Sequence, residues 1–138
     1  MLPRQVQEAI GEDEETTAEN TGLNLNLAVS YGGRAEIIRA VNRLLDDQKQ
    51  GLLPGGPVDE AAFAQRLYTA GQPEVDLLIR TSGELRVSDF LLWQIAYAEL
   101  YLTEVFWPDF SREELYRALG DYEGRERRFG GVGGDNGV

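Results

Sequence analysis

Val75-Asp76-Leu77-Leu78-Ile79-Arg80-Thr81, followed at once by Ser82-Gly83-Glu84-Leu85-Arg86-Val87 and then Ser88-Asp89, sets the fold. Four of the first seven residues are aliphatic and do not alternate cleanly, which predicts a strand covered on both faces. The polar, glycine-containing run after it is a loop. Ser88 or Asp89 is placed to cap the next helix, whose residues Phe90, Leu91, Leu92, Trp93 and Ile95 are apolar nearly all round. Such a helix is expected to be buried. A strand feeding a helix through a short polar loop is the unit of a parallel α/β sheet.

The flanking sequence repeats that grammar. Upstream, Leu23, Leu25, Leu27 and Val29 alternate with polar residues and predict a strand. Ser30-Tyr31-Gly32-Gly33-Arg34 is the turn after it, its glycines allowing close backbone approach. Ile37, Ile38, Val41, Leu44 and Leu45 then predict an amphipathic helix with that stripe turned inward. Asp59 is positioned to cap a short helix carrying Ala62, Phe63 and Leu67. Downstream, residues 99–105 read as a strand, and Ser111-Arg112-Glu113-Glu114 has the capping-box form that opens a last helix. The acidic opening, residues 2–20, predicts a solvated helix with Val6 and Ile10 on a thin apolar stripe. Together these give an α/β chain with an open, mainly parallel sheet and flanking helices, in which ligands sit at the carboxyl ends of strands. Two loops have that address, 30–34 and 81–88. The Gly-rich tail from Gly130 is expected to be disordered.

Composition narrows the chemistry. The chain has 138 residues, no Cys, no His and a formal charge of -11. That excludes thiol nucleophiles, Cys/His zinc sites and a histidine base, and it argues against a general nucleic-acid binder. No apolar run is long enough for a membrane helix, and the N-terminus lacks the order of a secretion signal, so the cytoplasm is the expected compartment. Of the 13 basic residues only Lys49 is lysine.

The richest constellation is Arg80 to Ser88: two guanidiniums, three hydroxyls and an expected helix N-terminus in one turn. Amide N–H groups at a helix start attract anions. Charge-assisted bonds from the arginines would add ~1.5–3 kcal/mol each. A diphosphate is the natural guest. The plainer alternative is that Arg80 pairs with Asp76 or Glu84 while Ser88 merely caps. Glu99, in apolar surroundings, is a metal ligand, a partner for Arg80 or Arg86, or the exposed side of a strand. Gly32-Gly33-Arg34 lacks the phosphate-loop arrangement. Asp46-Asp47 is not followed by a third carboxylate at metal spacing and reads as a solvated helix end. Trp93, Trp107, Phe90, Tyr97, Tyr101, Phe106 and Phe110 are most simply core, or the lining of an apolar channel.

The block from Asp76 to Gln94 resembles the signature of the cis-prenyltransferases, the isoprenyl transferases that include undecaprenyl diphosphate synthase. Asn20-Thr21-Gly22-Leu23, Tyr31-Gly32-Gly33-Arg34, Glu99-Leu100-Tyr101, Phe106-Trp107-Pro108-Asp109-Phe110 and Arg125-Glu126-Arg127-Arg128-Phe129-Gly130-Gly131 continue it across nearly the whole chain. Two positions depart: Asp89 stands where the family usually has Asn, and Ser30 replaces Asn. The family's opening Asp-Gly-Asn-Gly-Arg-Trp motif, which binds the allylic diphosphate and magnesium, does not occur in these residues.

The resemblance implies the C-terminal part of a cis-prenyltransferase domain over residues 1–129, with 130–138 as the tail. It implies condensation of isopentenyl diphosphate onto an allylic diphosphate, by a chain that is N-terminally truncated and inactive by itself. The alternative is a non-catalytic partner subunit of a complete enzyme. Arg80, Arg86, Val87 and Ser88 match positions that hold isopentenyl diphosphate, and Glu99 matches a carboxylate associated with Mg2+. Arg128 and Gly130 match a motif that reaches toward a partner's active site, so a homodimer is expected. Peripheral attachment at the inner face of the plasma membrane, through the polyprenyl product, is a further expectation.

Overall fold

The computed structural model describes residues 2–53 and 56–125. The chain divides into two compact units, Met1–Tyr31 and Gly32–Val138.

In the first unit, helix α1 runs Arg4–Thr17 with none of its residues buried. Arg4 and Glu8, one turn apart, form an exposed pair at 2.7 Å. The expected helix is therefore present and solvated. The expected strand over residues 23–29 is not formed: the segment carries no ladder, and Leu23 is 92% and Leu25 72% exposed. Alternation supplies an apolar face, but a strand exists only where a neighbour accepts its backbone bonds. Among the described residues no strand pairs with this segment.

In the second unit, α2 (Gly33–Lys49) and α3 (Glu60–Ala64) precede strand β1 (Leu77–Arg80). Strand β2 (Glu99–Leu102), a 3-10 turn at Trp107–Asp109 and helix α4 (Arg112–Glu123) follow. The two strands are parallel, with Leu77 opposite Glu99 and Arg80 opposite Leu102. Two of the three predicted caps are found. Asp59 Oδ1 accepts from the Ala62 N–H at 2.8 Å and Ser111 Oγ accepts from the Glu114 N–H at 3.4 Å.

Three expectations need correction. The buried stripe of α2 is Gly33, Glu36, Ala40 and Leu44, while Ile38, Val41 and Leu45 are exposed. The helix is thus rotated about one residue from its most hydrophobic orientation. Burying Glu36, 2% exposed, is tolerable because its carboxylate accepts from the Tyr68 N–H at 2.6 Å and from Gln94 Nε2 at 3.1 Å. The expected helix after Asp89 is a chain of turns over residues 88–97, with φ of 48° at Ser88, 67° at Asp89 and 45° at Leu91. Left-handed residues cannot propagate a right-handed helix, and a helix apolar all round needs cover that Phe90 and Trp93, both over a third exposed, do not receive. Nor are the aromatics core. Phe63 and Trp93 meet at 4.5 Å, yet Trp107, Tyr97 and Phe106 are mostly exposed.

Two predictions arise. Glu36→Ala removes the acceptor of a part-buried N–H and is expected to cost ~1–3 kcal/mol, read by urea denaturation. A cost near zero would show that water replaces the carboxylate. Separately, each strand of a two-stranded sheet leaves one edge unpaired, and Leu100 and Leu102 on β2 are each 45% exposed. Such edges template association with another chain. Sedimentation is expected to find self-association, and a monomer with a cooperative, high-temperature melt would contradict this.

Candidate functional site

Because β1 and β2 are parallel, their carboxyl ends lie at one end of the sheet, and the pairing continues past both strands. Ser82 N–H donates to Val105 O and Gly83 N–H to Thr103 O, each at 2.9 Å. Ser82 and Gly83 are both left-handed, at φ 66° and 65°. The start of the loop is thereby fixed to the segment following β2, in a conformation a glycine adopts freely and a serine does not.

Arg80 closes β1, half-buried. Its Nε is buried without a hydrogen-bond partner, and it forms no ion pair among the described residues. The plainer expectation, pairing with Asp76 or Glu84, is therefore not realised. Glu84 instead pairs with Arg86, whose side chain is 70% exposed, in a contact lacking hydrogen-bond alignment. Val87 O accepts from the Phe90 N–H at 3.1 Å. Ser88 is exposed and caps no helix, since none starts there. The helix dipole expected behind this loop is absent, so the loop's anion-binding capacity rests on guanidiniums, hydroxyls and turn amides.

Asp89 does cap a helix, but not its own. Its Oδ1 accepts from the Arg34 N–H at 2.9 Å, and its carbonyl accepts from the Gly33 N–H at 2.7 Å. Residues 32–34 and the end of the 81–88 loop, separate candidates in the sequence, are joined through this one residue. The two glycines are needed for the approach. A Cβ on Gly32 would stand 2.8 Å from Asp89 Oδ2, and one on Gly33 would stand 2.9 Å from Leu92 Cγ.

Glu99 opens β2, and its partner is neither Arg80 nor Arg86. Arg125, just beyond α4, donates from Nη1 to Glu99 Oε2 and to Leu100 O, both at 2.9 Å, and pairs with Asp121 one turn earlier. The hydrogen bonds to Glu99 and then Asp121 raise the Arg125 pKa above its ordinary value. Among the described residues no three carboxylates are gathered as a metal cluster. Magnesium commonly takes one or two carboxylates and completes its shell with water and substrate phosphate oxygens. Glu99 fits as one such oxygen ligand; the rest of a shell is not built from the described residues.

Asp47, read as a solvated helix end, is tied down: Arg66 Nε and Nη2 donate to its Oδ2 at 3.0 and 2.9 Å, joining α2 to the end of α3. Arg128 and Gly130 lie outside the described residues. Sequence reasoning missed Glu36 and Arg125. The signal for the first was its position, three residues after Gly33 and four before Ala40, on the stripe of small residues. For the second it was the i, i+4 spacing from Asp121.

The undecaprenyl diphosphate synthase family, Prenyltransf, matches residues 1–130. An isoprenyl transferase of Geobacter sulfurreducens is 53% identical over 129 residues, covering 94% of this chain and 52% of the relative. One from Bacillus cereus is 48% identical over 131 residues, 95% of this chain and 51% of the relative. The chain thus spans about half the length of these relatives. Among solved structures, lavandulyl diphosphate synthase from Lavandula x intermedia, in complex with dimethylallyl diphosphate, superposes with a TM-score of 0.88 at 41% identity. That match covers 94% of this chain and 56% of the other. A probable undecaprenyl diphosphate synthase from Campylobacter jejuni gives a TM-score of 0.75 at 38% identity, covering 94% and 58%.

Proposed function

The chain belongs to the undecaprenyl diphosphate synthase family of prenyltransferases, and from that premise we propose that it carries the isopentenyl diphosphate half of a cis-prenyltransferase active site. The observation that carries this reading is Arg80: a cation at the carboxyl end of a parallel strand, with a buried Nε–H that no described residue satisfies. A buried donor without an acceptor is costly, and a diphosphate oxygen is the acceptor that a strand-end loop of this kind presents to it. Arg86 adds a second guanidinium, Val87 a backbone N–H and Ser88 a hydroxyl.

In the reaction, a C–C bond forms between isopentenyl diphosphate and the allylic carbon as that carbon's C–O bond to its diphosphate breaks, and diphosphate and one proton from the isopentenyl unit are released. Arg80, Arg86, Val87 and Ser88 hold the isopentenyl partner by its diphosphate, which fixes the position of its carbon end. No proton transfer by His is required of these residues, whose work is orientation and charge stabilisation. Mg2+ would be held by Glu99 together with substrate oxygens, and it supplies neutralisation of the leaving diphosphate. Arg125 engages Oε2 of Glu99, so Oε1 is the oxygen that would take that role. Arg128 and Gly130 are proposed to serve a homodimer's neighbouring site. No helix among the described residues is long and apolar enough to cross a membrane. Peripheral attachment through the polyprenyl product, at the cytoplasmic face, is part of the same proposal. The test is calorimetric titration of the 138-residue chain with isopentenyl diphosphate, where saturable binding weakened roughly 100-fold by Arg80→Ala is expected. Binding indifferent to Arg80 would overturn the assignment.

A further inference from the structure

We infer that Asp89 is a positioning residue for the diphosphate loop, clamped onto the glycine turn at Gly32-Gly33. The inference rests on the diphosphate reading of Arg80 to Ser88 and deepens it, by naming what holds that loop in shape.

The loop needs holding. Ser88, Asp89 and Leu91 all have positive φ, at 48°, 67° and 45°. Non-glycine residues stay in that region only where their surroundings over-determine them. Asp89 supplies such a constraint at two points, through its carbonyl to the Gly33 N–H at 2.7 Å and its Oδ1 to the Arg34 N–H at 2.9 Å. Both donors belong to the first turn of α2, a 17-residue helix whose own N-cap, Gly32, offers no side chain. The carboxylate therefore meets free amides and the positive end of a long helix, which favours a negative charge there. Its charge is engaged by α2 and not simply set against the incoming diphosphate one residue away.

The seat is built for this contact. Gly32 has φ −148° and ψ 125°, extended backbone open to any residue, so its lack of a side chain is not a conformational need. What excludes a side chain is Asp89 Oδ2, 2.8 Å from the place a Cβ would take. Gly32→Ala thus pushes on Asp89 alone, without touching Arg80, Arg86 or Ser88.

The experiment is a double-mutant cycle on the 138-residue chain, with inorganic pyrophosphate as probe in calorimetry and hydrogen exchange at the Arg34 amide as a second readout. Asp89→Ala is expected to weaken pyrophosphate on the order of tenfold and to release the Arg34 amide, and Asp89→Asn to restore most of both, since its carbonyl oxygen accepts the same bond. Gly32→Ala is expected to weaken binding comparably in the native background, but less than ~2-fold beside Asp89→Ala, where the atom it strikes is gone. Equal damage in both backgrounds overturns the clamp. So does pyrophosphate affinity that responds to Arg80→Ala yet ignores Asp89 and Gly32, which leaves the diphosphate reading intact. Affinity that ignores Arg80 and Arg86 as well overturns the diphosphate reading and the clamp together.

Discussion

Incubated by itself with farnesyl diphosphate, isopentenyl diphosphate and magnesium, the 138-residue chain is expected to release no diphosphate above background. Removing one electrostatic donor from an active site commonly costs roughly 10²–10³-fold in rate. The 138 residues hold no Asp-Gly-Asn-Gly-Arg-Trp motif, so on the family resemblance the allylic partner lacks its whole binding subsite, a larger loss than any single donor. The check is a radiolabelled extension assay beside a full-length relative. Turnover comparable to that enzyme would mean that these residues anchor the allylic diphosphate by another route. Rescue on adding a polypeptide that carries the missing motif is the complementary result. A chain that stays inactive yet stimulates a complete enzyme would instead favour the partner-subunit reading.

The strands around the 81–88 loop were legible because each signal there is local. Residues 75–81 contain β1, residues 99–105 contain β2, and Asp59 and Ser111 cap as their patterns require. The misses share one cause, which is that burial depends on neighbours a local pattern does not name. Leu23 to Val29 alternate faithfully and join no sheet among the described residues. Ile38, Val41 and Leu45 are the greasier face of α2, but the face that packs is the one where Gly33 and Ala40 allow close approach and Glu36 finds donors. Within the site, the residue types were readable and their pairings were not. Arg86, not Arg80, takes Glu84; Arg125 takes Glu99; and Asp89, expected to cap forward, caps backward across 55 residues. No spacing rule reaches that far along a chain.

Those pairings give the two arginines unequal weights, which leads to the second large effect. Arg80→Ala and Arg86→Ala are each expected to weaken isopentenyl diphosphate binding, and Arg80→Ala more. A lost charge-assisted contact of ~1.5–3 kcal/mol corresponds to roughly 10- to 150-fold in the dissociation constant. Arg80 belongs near the upper end. Its side chain is half-buried, its Nε has no acceptor among the described residues, and an arriving phosphate oxygen would satisfy that donor. Arg86 belongs near the lower end, because it must first give up Glu84. That exchange is inexpensive: an ion pair whose arginine is 70% exposed contributes only ~0–1 kcal/mol. The same reasoning fixes a sign for a third variant. Glu84→Gln frees Arg86 and removes a like charge from beside the diphosphate, so affinity should rise, and the rise should be smaller in an Arg86→Ala background, where only the second effect remains. Calorimetric titration of the native chain and the four variants decides it. Equal losses at Arg80 and Arg86 would show that the unmatched Nε plays no part in recognition, and no loss at either would return both arginines to the protein's own ion pairs.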